Sequence, residues 1–576
     1  MLKPKKSVEK MNGYFVPMYE KHWDIKIDSN ENNYGASPKV IEAIRNSDVS
    51  DISFYPFYGE LSQKIADYRN CSIDNIKVTN GADEAIQGIV QTYLETDDAL
   101  LTLDISFDMP VIYTQIQGGD VIKVPFENKW QFPIDNFIKE LKNKKIKIVY
   151  LASPNNPTGS VIEEKDLKKI LENSDGKVVI IDETYANYSD TTYQRYIKEY
   201  DNVFIVRSFS KDFALAGLRL GYIISSEENI KNLKKVISPF SVNILAAKAG
   251  IAALNDTDYF DKVKTEINQT KQELKEFFEN RGFNVYPSSA NFILVDCGKK
   301  AEFIHHKLKK ENISVKLFKR ETKLGGCLRI TIPTKAGFNK IKEALKIKPA
   351  LVFDMDGVLI NAKSYRETIR KTFEHYSGKT VSLEEIQSVK NGGGMNNDWD
   401  LTKYLLDKEG INISYCDMVE TFQKIYWNDG NGLINIETPL FENEIFEKLS
   451  QNYNLAIFTG RIRQEAMFAI NKFGIADLFC PVITTDDIPQ GMGKPNPIGL
   501  NIVKDMIIAN EYYYFGDTTD DILCAKSAGY KAVGVLPPQD KSENLINLMK
   551  SKGAEEVINS VNDINLVLEK KNEAIR

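Results

Sequence analysis

The sequence predicts an α/β protein built as two separately folded parts, and three observations carry that expectation. Short apolar, β-rich runs alternate with helical stretches almost throughout, as in IKIVYLA at 146–152, VVIID at 178–182 and VFIV at 203–206. That is the pattern of mostly parallel strands layered with helices. At 576 residues the chain exceeds what one hydrophobic core organises. The amphipathic run FNKIKEALKIK ends at Pro349, which disfavours helix at the residue before it, and ALVFDMDG then opens a new buried strand. The parts are therefore 1–346 and 349–576, with little linker between them.

Composition narrows the class. With 42% hydrophobic and 27% charged residues the chain reads as globular and soluble. A net charge of −6 gives no reason to expect nucleic acid or an anionic membrane as partner. No apolar run approaches the roughly 20 residues of a membrane span. The opening MLKPKKSVEK lacks a secretory h-region, and its lysines read as a solvated terminus. Six cysteines without a CxxC pair argue against a disulfide framework and a structural zinc site, and so for a cytosolic location.

Within the first part, FIVRSFSKDFALA at 204–216 is followed at once by Gly-Leu-Arg. It sets Lys211 among small hydroxyl residues on a turn, with Arg219 shortly after. A pyridoxal-phosphate (PLP) enzyme is built this way: the lysine amine bonds the cofactor aldehyde, while Ser208, Ser210 and Arg219 hold its phosphate. Asp182 ends the buried strand VVIID, where a carboxylate can pair with the pyridine nitrogen and keep it protonated. Gly81, Ala82 and Asp83 open the helical run EAIQGIVQTYL, whose free N–H groups and positive dipole end suit the same phosphate.

Six segments in order extend this reading: SNENNYGASP at 29–38, NGADEAI at 80–86, SPNNPTG at 153–159, IDETYANY at 181–188, the lysine segment, and GCLRIT at 326–331. On them the first part resembles a fold type I PLP aminotransferase with large and small domains, closest to the histidinol-phosphate aminotransferase family. The resemblance implies that Asn156 and Tyr185 hydrogen-bond the cofactor's phenolic oxygen and that Phe107 stacks on its ring. It implies that Tyr55 reaches the phosphate of the neighbouring subunit's cofactor, so that the site requires a homodimer. Arg329 matches the arginine that grips the α-carboxylate of the amino donor, glutamate by resemblance, through two parallel hydrogen bonds. The freed Lys211 amine would then shuttle a proton between the substrate and the cofactor. Tyr14 is a further candidate for touching a substrate phosphate. Two departures leave the substrate open: Lys316 stands where the family commonly has a phosphate-binding arginine, and Phe107 in place of the tyrosine that the family usually stacks on the ring.

The second part carries FDMDGVL with Asp354 and Asp356, FTGR with Thr459, GKPNP with Lys494, and YYYFGDTTDDI with Asp517 and Asp521. In this order they resemble a haloacid-dehalogenase-superfamily (HAD) phosphatase, a Rossmann-like core with a helical C1-type cap over about 361–438. The residue types fit the chemistry this implies. Asp354 attacks phosphorus; Asp356 protonates the leaving alkoxide, then activates the hydrolytic water; Thr459 and Lys494 hold the phosphoryl oxygens. Mg²⁺ would take Asp354, the backbone carbonyl of Asp356, and Asp517, with Asp521 in support behind them. An aspartate at 356 favours phosphate transfer to water over dehalogenation. In the cap, Asn396, Asn397, Asp398 and Trp399 of KNGGGMNNDWDLT either read the leaving group or supply a helix cap and a core tryptophan.

Together the two parts predict transamination of a small keto-alcohol phosphate, histidinol-phosphate type or glycerone phosphate to serinol phosphate, followed by dephosphorylation to the free amino alcohol. The alternative is an amino-acid-phosphate decarboxylase, acting on phosphoserine or phosphothreonine, fused to the phosphatase. A third reading makes one half a non-catalytic scaffold, against which the intact Lys211, Asp182, Asp354 and Asp356 argue.

Overall fold

The computed structural model describes residues 2–11, 22–361, 363–391 and 397–574. The chain divides into two compact units, Met1–Ala301 with Lys307–Leu345, and Lys346–Arg576 with Glu302–His306.

The first unit holds a seven-stranded sheet in the spatial order Ile76–Thr79, Gly221–Ile224, Val203–Ser208, Val178–Asp182, Ile146–Ala152, Ala99–Leu103, Asp120–Val124. Gly221–Ile224 runs antiparallel to both neighbours and the remaining pairs are parallel. The central strands are buried throughout except at Lys147, which is why they read as apolar Val/Ile-rich runs rather than as an alternation. Helix Gly81–Tyr93 covers one face with Ala85, Ile86, Ile89 and Val90. A five-stranded sheet forms the smaller part of this unit, in the order Ile25–Ile27, Ile313–Leu317, Cys327–Thr331, Phe292–Asp296, Asn284–Tyr286.

The second unit is a six-stranded, wholly parallel sheet ordered Val482–Ile483, Asn454–Phe458, Ala350–Phe353, Tyr512–Gly516, Lys531–Val535, Glu556–Ile558. Counted along the chain this is 3-2-1-4-5-6, and the order reverses beside Ala350–Phe353. Such a reversal opens a crevice at the carboxyl ends of the strands. Between the first and second strands the chain inserts helices Lys363–Ser377, Leu383–Asn391, Asp398–Lys408 and Tyr415–Tyr426. Tyr365, Ile369 and Phe373, then Met418, Phe422 and Tyr426, recur every fourth residue, so each set lines one helix face. With Leu401, Leu405 and Leu406 they make a core separate from that of the sheet. This is the expected helical cap. Asn397 accepts from the Trp399 N–H at 2.8 Å and caps the third cap helix, and Trp399 packs against the cap core. These two residues thus take the structural of the two roles open to the segment; Asn396 lies outside the described residues. No described helix is long and apolar enough to cross a membrane.

Candidate active sites

The first site lies along the carboxyl ends of the large sheet's parallel strands. Asp182 is the last residue of its strand and is buried. The Tyr150 hydroxyl donates to it at 2.7 Å and the Thr184 N–H at 2.9 Å. Burial pushes this carboxyl up, and these neutral donors offset that only in part. A protonated ring nitrogen placed against it would restore the ionised form.

Lys211 follows the next strand, and its amine donates to the Ser29 carbonyl at 2.9 Å. Burial, together with the charges of Arg329 and Arg219, pushes the amine down to about 8. An amine adds to an aldehyde in its unprotonated form, and that form predominates above that pH. Cofactor-free protein should therefore combine with pyridoxal phosphate at a rate that rises with pH, with a midpoint near 8, as trapped by borohydride reduction at Lys211. A midpoint near the ordinary lysine value of 10.5 would contradict this environment.

Arg329 donates to Asn156 Oδ1 at 2.5 Å and to the Asp28 carbonyl. Lys316 pairs directly with Arg329 across Ile313–Leu317 and Cys327–Thr331. Directly opposed strand residues project from one face, so the two cations are neighbours, with Lys316 the exposed one. Tyr185 accepts from Asn30 Nδ2 at 2.9 Å, so Asn156 and Tyr185 are both held in place by other side chains. Asn30 escaped the sequence reading. It is buried, sits at φ 58°, and is bound further by Thr331 and Asn291. Its only sequence signal is its place in SNENNYG, since asparagine tolerates the left-handed region that such a corner requires.

A third cluster gathers Gly81, Ala82, Asp83, Ser208, Ser210 and Arg219. Arg219 Nη2 meets Asp83 at 2.8 Å, and a Cβ on Gly81, whose φ is +76°, would stand 2.9 Å from the same nitrogen. The Ser210 N–H donates to Ser208 Oγ at 3.1 Å, which fixes that turn. Asn80 provides no side-chain cap, so the first-turn N–H groups of Gly81–Tyr93 are left for an anion. The set fits pyridoxal phosphate: a depressed amine, a buried carboxylate, and a glycine-lined helix start beside an arginine. Phe107 is half-buried and packs on the large-sheet core. Tyr55 is 80% exposed and stacks on Phe240 at 4.5 Å between ring centroids. Tyr14 lies outside the described residues.

The second site sits at the crevice of the six-stranded sheet. Asp354 follows Ala350–Phe353, Thr459 follows Asn454–Phe458, and Asp517 follows Tyr512–Gly516. Lys494 bridges Asp354 at 2.7 Å and Asp521 at 2.8 Å. Burial pushes the Asp354 carboxyl up and the ammonium pulls it back. Against burial, the two carboxylates hold Lys494 charged. One oxygen each of Asp354, Asp517 and Asp521 lie within 4.8 Å of one another. Asp521 also accepts from Thr518 and Tyr514, the place of a supporting residue rather than of a leading ligand. Gly357 lets Asp517 approach, since a Cβ there would strike the carboxylate. This all-oxygen donor set fits Mg²⁺. The Asp356 side chain stands apart, on Arg461, which donates from Nε at 3.0 Å and from Nη2 at 2.6 Å. Sequence reasoning passed over Arg461, although it belongs to FTGR.

Two folds with two such sites define an aminotransferase joined to a hydrolase. The chain belongs to the family described as aminotransferase class I and II, which matches residues 24–345, and residues 351–535 match haloacid dehalogenase-like hydrolase. Among curated relatives, a histidinol-phosphate aminotransferase of Thermoanaerobacter sp. (strain X514) is 34% identical over 320 residues, 54% of this chain and 91% of that protein. One of Methanosarcina mazei is 33% identical over 333 residues, 57% of this chain and 89% of its own. Among solved structures, histidinol-phosphate aminotransferase from Clostridium acetobutylicum has a TM-score of 0.52 at 25% identity, over 56% of this chain and 98% of its own. The Sinorhizobium meliloti enzyme, in complex with pyridoxal-5'-phosphate, has a TM-score of 0.56 at 24% identity, over 60% and 97%; at that identity the likeness shows the fold.

Proposed function

We propose that the first unit transfers an amino group from glutamate to a small keto-alcohol phosphate, and that the second cleaves the phosphate from the resulting amino-alcohol phosphate. The observation that carries this is the cross-strand pair of Arg329 and Lys316, whose charge bears on the Lys211 site through Arg329. It supports a substrate set with an anionic group beside the reacting carbon, first a carboxylate and then a phosphate. Bound pyridoxal phosphate supplies a ring that takes up the electrons of the bond broken at the substrate carbon. Asp182 keeps the ring nitrogen protonated, and the Lys211 amine carries the proton on and off the reacting carbon. Arg329 fixes the donor carboxylate in plane through its fork. In the second unit Asp354 attacks phosphorus, Asp356 exchanges the proton, and Thr459 and Lys494 hold the oxygens that gain charge. Asp354, Asp517 and the Asp356 carbonyl would hold Mg²⁺, which would supply charge neutralisation.

Arg329→Lys should raise the KM for glutamate by roughly 10- to 100-fold, since it loses a charged bidentate contact of about 1.5–3 kcal/mol. Steady-state kinetics at fixed keto phosphate checks this, and an unchanged KM would remove Arg329 from the donor site.

The protein acts as a homodimer in this reading, in the cytoplasm. Val49, Ile52, Phe54, Tyr55 and Phe57 leave a run of large apolar side chains exposed, and Phe240, also exposed, stacks on Tyr55. Such a patch suits a second copy, to whose cofactor Tyr55 would belong.

The test supplies the purified chain with pyridoxal phosphate, Mg²⁺, glutamate and either imidazole-acetol phosphate or glycerone phosphate, following 2-oxoglutarate and inorganic phosphate together. Both products from one keto phosphate, with Asp354→Asn stopping at the amino-alcohol phosphate, establish the sequence of reactions and name the substrate. If neither gives 2-oxoglutarate, and CO₂ is released from phosphoserine or phosphothreonine, the chain is a decarboxylase.

A further inference from the structure

Arg461 is buried, 1% exposed at its side chain, and spends its guanidinium on two carboxylates. Nε and Nη2 take the two oxygens of Asp356 at 3.0 and 2.6 Å, while Nη1 and Nη2 take those of Glu437 at 3.0 and 2.9 Å. Four of the five N–H donors of an arginine are thereby committed. Glu437 is buried in turn and accepts from Ser364 at 2.7 Å and Tyr426 at 3.0 Å, residues of the first and last cap helices. The Tyr365 ring lies 4.9 Å from the guanidinium, and its hydroxyl binds Glu465, which also accepts from Gln423 of the last cap helix. The assembly sits beside the two segments that join the cap to the sheet. There the Asn361 N–H donates to the Thr438 carbonyl, the Leu440 N–H donates to the Leu359 carbonyl, and Ile360 bridges to Pro439.

We propose that Arg461 is a positioning residue for proton transfer in the phosphatase unit, holding the plane of the Asp356 carboxyl and tying it to the seat of the cap through Glu437. This rests on the reading of Asp354 as nucleophile and Asp356 as acid and base. A carboxylate has about four lone-pair sites, and the fork fills one on each oxygen. Asp356 is 30% exposed at its side chain, so the remaining sites open to the mouth of the crevice, where a leaving oxygen or a water can use them. In the first step an Asp354 oxygen bonds to phosphorus as the ester oxygen leaves, and that oxygen takes the proton of Asp356. In the second, water bonds to phosphorus as the Asp354–phosphorus link breaks, and Asp356 takes the water's proton back. Both transfers need the same carboxyl in the same plane.

The test compares two phosphate esters of similar size on the full chain with Mg²⁺. p-Nitrophenyl phosphate loses a phenolate that leaves without a proton, whereas benzyl phosphate loses an alkoxide that requires one. Because kcat/KM reports the steps through the first irreversible one, it isolates delivery of that proton. Arg461→Lys keeps the charge and loses the fork; kcat/KM for benzyl phosphate should fall roughly 10²-fold or more, within the range of general acid–base catalysis, and that for p-nitrophenyl phosphate less than about threefold. Glu437→Gln, which leaves Arg461 intact, should show the same selectivity more weakly. Retained p-nitrophenyl phosphate turnover shows that each variant is folded. Equal effects on both esters in both variants overturn the inference. Failure of the reading beneath it looks different: wild-type protein would cleave neither ester, or Asp356→Asn would lose no selectivity for benzyl phosphate.

Discussion

Lys211→Ala removes amino transfer by roughly 10³-fold or more, the scale on which a positioned proton carrier acts, while phosphate release from an added ester stays at its wild-type rate. In the proposed reaction the amine attaches the cofactor, and its depressed value of about 8 leaves a useful unprotonated fraction near neutrality. In the same proposal this amine would then move the proton, a task that neither alanine nor an exogenous buffer meets at the required geometry. Lys211→Arg should fail as completely, because a guanidinium stays protonated in this range. It keeps the charge beside Arg329, so it separates loss of chemistry from loss of local electrostatics. The readout is 2-oxoglutarate from glutamate, with phosphate release from p-nitrophenyl phosphate as the internal control in each preparation. A Lys211→Ala variant within tenfold of wild type would end the assignment.

Much of this arrangement is legible in the chain because the reactive side chains stand at strand ends. A buried parallel strand announces itself as an apolar run, and the polar residue that ends it points at the crevice; Asp182, Asp354 and Thr459 are all found this way. What the sequence hides are the partners that reach a site from distant segments. Ser29 and Asn30 meet Lys211 and Tyr185 from about 180 and 155 positions away, and no local pattern encodes that approach. Arg461 is hidden for another reason. Its carboxylate partners Asp356 and Glu437 lie 105 and 24 positions off, on either side of the cap insertion. For Asn397 and Trp399 of the cap the sequence left two roles open, and the tertiary contacts of the segment decide for a helix cap and packing against the cap core.

Asp354→Asn should abolish phosphate release, by roughly 10³-fold or more, and leave amino transfer intact, so that the amino-alcohol phosphate accumulates in place of the free amino alcohol. An amide is a poor nucleophile toward phosphorus, yet it nearly matches the carboxylate in size, so the effect is chemical rather than one of packing. Lys494 would keep Asp521 as partner at 2.8 Å, which avoids leaving a buried ammonium uncompensated. Chelation gives the complementary result. EDTA removes the cation expected on Asp354 and Asp517, so it should stop phosphate release and spare 2-oxoglutarate formation, with Mg²⁺ restoring the former. The two treatments must stop the chain at the same compound, because both act after the amine is installed. If phosphate still appears at the wild-type rate from Asp354→Asn, phosphorus is attacked by another group, and the trio of carboxylates has some other use.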